Sequence, residues 1–112
     1  MSIIDVGDIV WVDFNPGRGT EQLGHRPALV LTDRSFHEVS PRAVVCPITS
    51  RVRGWSTEVE LPADAKTHGA ILVDQVRSVD RTMRGFRFVE RVPAETLRQV
   101  RGRLAALLQL GP

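Results

Sequence analysis

Six polar residues of this 112-residue chain stand where strand-like runs end, and they are the ones whose types and spacing suit phosphate chemistry. Glu21 and His25 lie in a glycine-containing loop, and Arg26 stands at its exit before Pro27. Thr49 and Ser50 follow Pro47-Ile48, and Gln75 follows Asp74. A guanidinium beside a hydroxyl can hold a phosphodiester and stabilise the extra negative charge of a pentacoordinate transition state. RNA carries its own nucleophile, the 2′-hydroxyl, so such a site needs neither a metal nor a protein nucleophile. It does need a proton acceptor and a proton donor. Each residue also has a plainer use: Arg26 can pair with Glu21 or Asp74, Thr49 and Ser50 can be turn residues, and His25 can bond within its loop.

Other chemistries find less support. His25, His37 and His68 are far apart and form no HxxxH or Cys-containing ligand pair, so no metal is expected. Gly17-Arg18-Gly19 lacks the Gly-Lys-Ser/Thr that completes a phosphate-binding P-loop. No GxSxG or local Cys/His signature supports acyl transfer.

The elements that must position these residues read as short strands and one helix. Asp8 to Phe14 alternates Ile9, Trp11 and Asp13 with Val10, Val12 and Phe14, a central strand with bulk on both faces. Asn15-Pro16-Gly17 breaks it, and the loop to His25 has the composition of a hairpin connection or lid. Pro27 biases Arg26 toward extended backbone, and Ala28 to Thr32 forms the second strand. Further strands are expected at 42–48, 57–61, 69–73, 75–79 and 86–89, a number and spacing that suit a small barrel or sandwich. Pro93, Glu95 and the stripe Leu97, Val100, Leu104, Leu107 and Leu108 predict a closing amphipathic helix that covers the core and ends at Gly111-Pro112.

Length and composition fit a single folded domain over residues 1–112, with 42% apolar and 25% charged residues. The net charge is only +2, yet residues 1–50 hold four Arg against six acids and the remainder eleven Lys or Arg against seven. The densest basic stretch, Arg77, Arg81, Arg84, Arg87 and Arg91, is either a solvated rim or a patch that attracts phosphate backbones. Cys46 is the only cysteine, set in an apolar run that reads as core, so no intrachain disulfide forms. With no leader-like N-terminus and no apolar run of membrane-spanning length, a cytoplasmic protein that makes no membrane contact is expected.

At this point the chain resembles the MazF/PemK toxins of bacterial toxin–antitoxin pairs. The resemblance is carried by GDIVWVDFNPGRGTEQLGHRPALVLT from Gly7 to Thr32, VVCPITS from Val44 to Ser50, GAILVDQVRSVD from Gly69 to Asp80, and the closing VPAETLRQVRGRLAALL. These blocks span nearly the whole chain in the family's order. The resemblance implies a mainly β fold with a C-terminal helix, an SH3-like barrel of the MazF/CcdB/Kid type. It implies a homodimer that cleaves single-stranded RNA, mRNA among it, without a metal or other cofactor, and leaves 2′,3′-cyclic phosphate and 5′-hydroxyl ends. It implies growth inhibition by blocked translation, and a MazE-like antitoxin whose acidic disordered tail occupies the basic RNA groove.

By motif position, Arg26 and Thr49 match the family's catalytic pair, and Glu21, His25 and Gln75 match positions lining the RNA site. Ser50 accompanies Thr49. A guanidinium whose pKa exceeds about 12 is a poor base, so Arg26 is assigned to phosphorane stabilisation and leaving-group protonation, with His25 first and Glu21 second as base. One departure stands out. Gly54-Trp55-Ser56-Thr57 replaces the expected aromatic followed by Pro-Phe, and Trp55 is either a base-stacking platform or core. The alternatives are a CcdB-like gyrase-binding toxin on the same barrel, which needs no such catalytic pair, and an SH3-like peptide module. A chain without tyrosine, with two Trp and four Phe, is poorly supplied for the latter.

Overall fold

The computed structural model describes residues 3–15, 19–21 and 24–111. Among the described residues seven strands and two α-helices follow one another as β1 (Asp8–Asp13), β2 (His25–Val30), α1 (Arg34–Val39), β3 (Arg42–Thr49), β4 (Glu58–Glu60), β5 (Ala70–Leu72), β6 (Arg77–Asp80), β7 (Arg87–Arg91) and α2 (Ala94–Leu108). All described pairings are antiparallel, in the order β4-β5-β3-β2-β1-β7, with β6 also on β3. The expected mainly β fold with a closing helix is what forms. Part of the expected first loop, residues 16–18 and 22–23, lies outside the described residues.

β3 is the strand on which the architecture turns. One edge pairs with β2, and the other pairs first with β6, at Arg42 to Val45, and then with β5, at Ile48 and Thr49. Pro47, which has no N–H to give, stands in the gap between those two partners. The chain from β5 to β6 crosses there as a 3₁₀ turn, Val73–Gln75. The sequence reading began the next strand at Gln75; the turn instead delays β6 to Arg77.

Both faces of the sheet are covered, as the bulk on either side of β1 requires. Ile9, Leu29, Cys46, Ile48, Val59, Ile71, Val73 and Val100 form one buried cluster, beneath α2. Val10, Val12, Phe14, Ala28, Val30, Ala43, Val45 and Val79 form the other. Along α2, Val100 is fully buried and Leu97 and Leu104 pack on the first cluster, whereas Leu107 and Leu108 are 45% and 52% exposed. The helix also stops earlier than expected: Gln109 adopts left-handed backbone (φ 57°) and Leu110 N–H bonds back to Ala105 at 2.8 Å.

Helix α1 has no counterpart in the sequence reading, because six residues are too few to show a helical period. Its signal is the cap: Asp33 Oδ1 accepts from Phe36 N–H at 3.1 Å. At the other end Arg81 donates to the carbonyls of His37 and Ser40 at 2.9 and 2.7 Å. Buried His37 ties the helix down, with Nδ1 donating to the Ile4 carbonyl at 2.6 Å and Nε2 meeting the Thr32 hydroxyl at 2.7 Å.

Candidate active site

Register brings the two motif residues together. On β2, Arg26 pairs with Val12 of β1, and Ala28 pairs with Pro47 of β3. Carrying the second register two residues further sets Arg26 across from Thr49, on the face that also holds Val12 and Phe14. Arg26, Thr49, Ser50, Arg51 and Arg53 line a cavity of about 310 Å³. Beside it, about 330 Å³ is lined by Phe14, Thr20, Glu21, Pro47, Asp74, Gln75, Val76 and Arg77. Pro47 and Thr49 are same-face neighbours on β3, so the two cavities adjoin. Gln75 reaches this wall because of the 3₁₀ turn opposite Pro47.

Thr49 is held closely. The residue is only 6% exposed, and its Oγ1 accepts from Arg51 N–H at 3.1 Å. The hydroxyl proton remains available to a phosphate oxygen. Beneath it Gly69 has φ +126°, and a Cβ there would stand 2.0 Å from the Thr49 carbonyl oxygen. Only glycine permits that approach.

His25 is absent from the lining of both cavities. Adjacent residues of a strand point to opposite faces, so His25 leaves the Arg26 side and sits with Nε2 4.0 Å from Asp13 Oδ2. With Trp11, Pro27, Ile48, Lys66, Thr67, His68 and Val89 it lines a groove of about 390 Å³, which Arg26 and Ser50 also line. Trp55 is also outside the Arg26–Thr49 cavity. It lines a neighbouring one with Val52, Glu58, Gln99 and Arg103, and the Arg53 guanidinium lies 4.9 Å from its ring centre.

Arg51 and Arg53 escaped the sequence reading, although they follow Thr49-Ser50 directly. The basic stretch that attracted notice instead divides its work. Arg81 closes α1, Arg84 donates to the Asp13 and Asn15 carbonyls, and Arg91 meets Val6 O at 3.1 Å, Asp5 at 3.4 Å and Asp8 at 3.7 Å. Arg77 lies over the Phe14 ring at 5.6 Å, on the Glu21–Gln75 cavity wall. Three of the five arginines therefore serve the fold.

Among the described residues no group of three or more His, Cys, Asp or Glu side chains is placed to hold a metal ion. Burial, aided by the Asp74 charge, pushes the Cys46 thiol up to about 12, so it remains protonated in the core. No described helix is long and apolar enough to cross a membrane.

Comparison with known proteins gives the family and fold. The family described as PemK-like, MazF-like toxin of type II toxin–antitoxin system matches residues 5–108. The endoribonuclease toxin MazF of Escherichia coli is 35% identical over 104 residues, 93% of each chain. Crystallographic MazF of Deinococcus radiodurans superposes with a TM-score of 0.93 at 40% identity, covering 98% of this chain and all of that one. A MazE–MazF crystal structure from the same organism gives 0.89 at 40% identity, over 99% of this chain and all of its counterpart.

Proposed function

Because the chain belongs to the PemK-like, MazF-like toxins of type II toxin–antitoxin systems, we propose that it is an endoribonuclease toxin that cuts single-stranded RNA, mRNA included, through Arg26 and Thr49. The carrying observation is the convergence of Arg26 and Thr49 on one cavity, with Glu21 and Gln75 on the adjoining wall. A gyrase-binding toxin on the same barrel is not favoured, since the E. coli relative is named an endoribonuclease.

In this reading the RNA 2′-oxygen attacks phosphorus and gives its proton to Glu21, the carboxylate on the same side of the sheet as Arg26. Arg26 and the Thr49 hydroxyl stabilise the phosphorane. The P–O5′ bond breaks, the 5′-oxygen takes a proton from the guanidinium, and the proton held by Glu21 returns through water to the guanidine, because a neutral guanidine is strongly basic. The products are a 2′,3′-cyclic phosphate and a 5′-hydroxyl. Gln75 and Ser50 contact the strand. Trp55 has an exposed ring with area to offer an unstacked base. No step calls for a metal or cofactor. The same surface receives the acidic disordered tail of a MazE-like antitoxin, a partner class supported by the Deinococcus complex. The toxin works as a homodimer in the cytoplasm, where its substrate is.

The test is incubation of the purified chain with long single-stranded RNA in excess EDTA, followed by end-mapping, beside Arg26→Ala. Discrete cuts with cyclic-phosphate ends, slowed by about 100-fold or more in the folded variant, are expected. Intact RNA, or full activity in the variant, would overturn the reading.

A further inference from the structure

The loop that follows β3 carries a cation into the Arg26–Thr49 cavity and holds it there. Arg53 lines that cavity. Its backbone N–H donates to Glu58 Oε1 at 3.0 Å, and the next N–H, of Gly54, donates to the same oxygen at 2.9 Å. Glu58 is only 6% exposed, and its second oxygen, Oε2, is buried without a hydrogen-bond partner. A carboxylate withdrawn from water for two loop amides is a costly fastening, so the loop conformation has to matter. Gly54 supplies the left-handed turn (φ +79°) that lets both amides face one oxygen. Two further bonds complete the hold: Glu58 N–H donates to Trp55 O at 3.0 Å, and Arg103 of α2 donates to Ser56 O.

The Arg53 side chain is fixed as well. Its guanidinium lies over the Trp55 ring at 4.9 Å, and among the described residues no carboxylate pairs with it. A guanidinium seated on an aromatic face keeps its edge N–H groups free for a planar, two-point contact with an anion. Arg51 borders the same cavity without such a seat.

We infer that Arg53 is a second phosphate anchor, binding the RNA backbone at a phosphate next to the one cut, with Glu58 and Trp55 as the residues that position it. This rests on the ribonuclease reading. The cavity then holds two phosphates of one strand, the scissile one at Arg26 and Thr49 and a neighbour at Arg53. Prepositioning the second cation cuts the ordering cost of binding a flexible strand. It also fixes the strand's register along the site, which two-point attachment does and a single cation cannot.

The test uses a fully 2′-O-methylated single-stranded RNA, which has no nucleophile, so binding is read apart from cleavage. Its Kd is measured across a salt series for the unaltered chain, Arg53→Ala, Arg53→Lys and Glu58→Gln. Arg53→Ala should weaken binding about five- to tenfold and lower the slope of log K against log salt by about 0.7, the loss of one single-strand phosphate contact. Arg53→Lys should restore the slope but only part of the affinity. Glu58→Gln should weaken binding with the slope kept. An unchanged slope in Arg53→Ala, or no RNA binding by the unaltered chain, would overturn the proposal. Binding and slopes as expected, with unmethylated RNA left intact by the unaltered chain in a parallel incubation, would overturn the ribonuclease reading alone.

Discussion

At the scale of single residues, the proton acceptor is the point at which geometry adds most to the sequence. Sequence alone ranks His25 ahead of Glu21, because an imidazole titrates near neutrality. We propose the reverse order: Glu21 lines the wall beside Pro47 and Gln75, on the sheet face that carries Arg26 and Thr49, while His25 lies on the opposite face of β2, in the Trp11 groove that Arg26 also borders. Glu21→Gln should slow single-turnover RNA cleavage by about 100-fold or more, whereas His25→Ala should leave it within about threefold. Rapid cleavage by Glu21→Gln with a dead His25→Ala would return the role to the imidazole. Arg26 and Thr49 were legible as a pair because motif blocks name them. Arg51 and Arg53 were not, since an exposed arginine after a turn looks like any solvated cation until a cavity is seen beside it.

At the scale of elements, strands with bulk on both faces were legible from alternation, and α2 from its leucine period. Two features were not. The six residues of α1 are shorter than two helical turns, and their helix depends on a cap and a distant arginine. The crossing between β5 and β6 depends on Pro47, a residue in another strand. Loop 61–69 shows how such dependence is built. Glu90 of β7 accepts from Thr67 N–H at 2.7 Å and Lys66 N–H at 3.2 Å. Burial raises the Glu90 carboxyl, but those hydrogen bonds and the Lys66 charge outweigh it and hold the group below its ordinary 4.5. A depressed folded-state value means that this fastening is at full strength above about pH 4.5 and is lost as pH falls through the lowered value. Glu90→Ala should therefore lower the hydrogen-exchange protection of the Lys66 and Thr67 amides at neutral pH. The unaltered chain should lose the same protection on acidification, and equal protection in both proteins at neutral pH would refute the role.

At the scale of the whole molecule, the fold leaves Leu107, Leu108 and Leu110 exposed at the end of α2, and Met83 79% exposed after β6. Apolar surface of this kind favours self-association. Sedimentation should find twice the 12.5 kDa chain mass at micromolar concentration, and a monomer at that concentration would remove the homodimer from the proposal. The sheet itself carries a further consequence for descent. His25 and Arg26 are neighbours in sequence but stand on opposite sides of β2, so losing the Pro27 codon, with Ala28 held in register, would exchange their sides. An imidazole would then meet Thr49, and the guanidinium would face Trp11. Lineages that keep this chemistry can vary the length of the preceding loop, yet they must inherit the reading parity of β2 intact. Insertions and deletions among descendants should stop at Gly24.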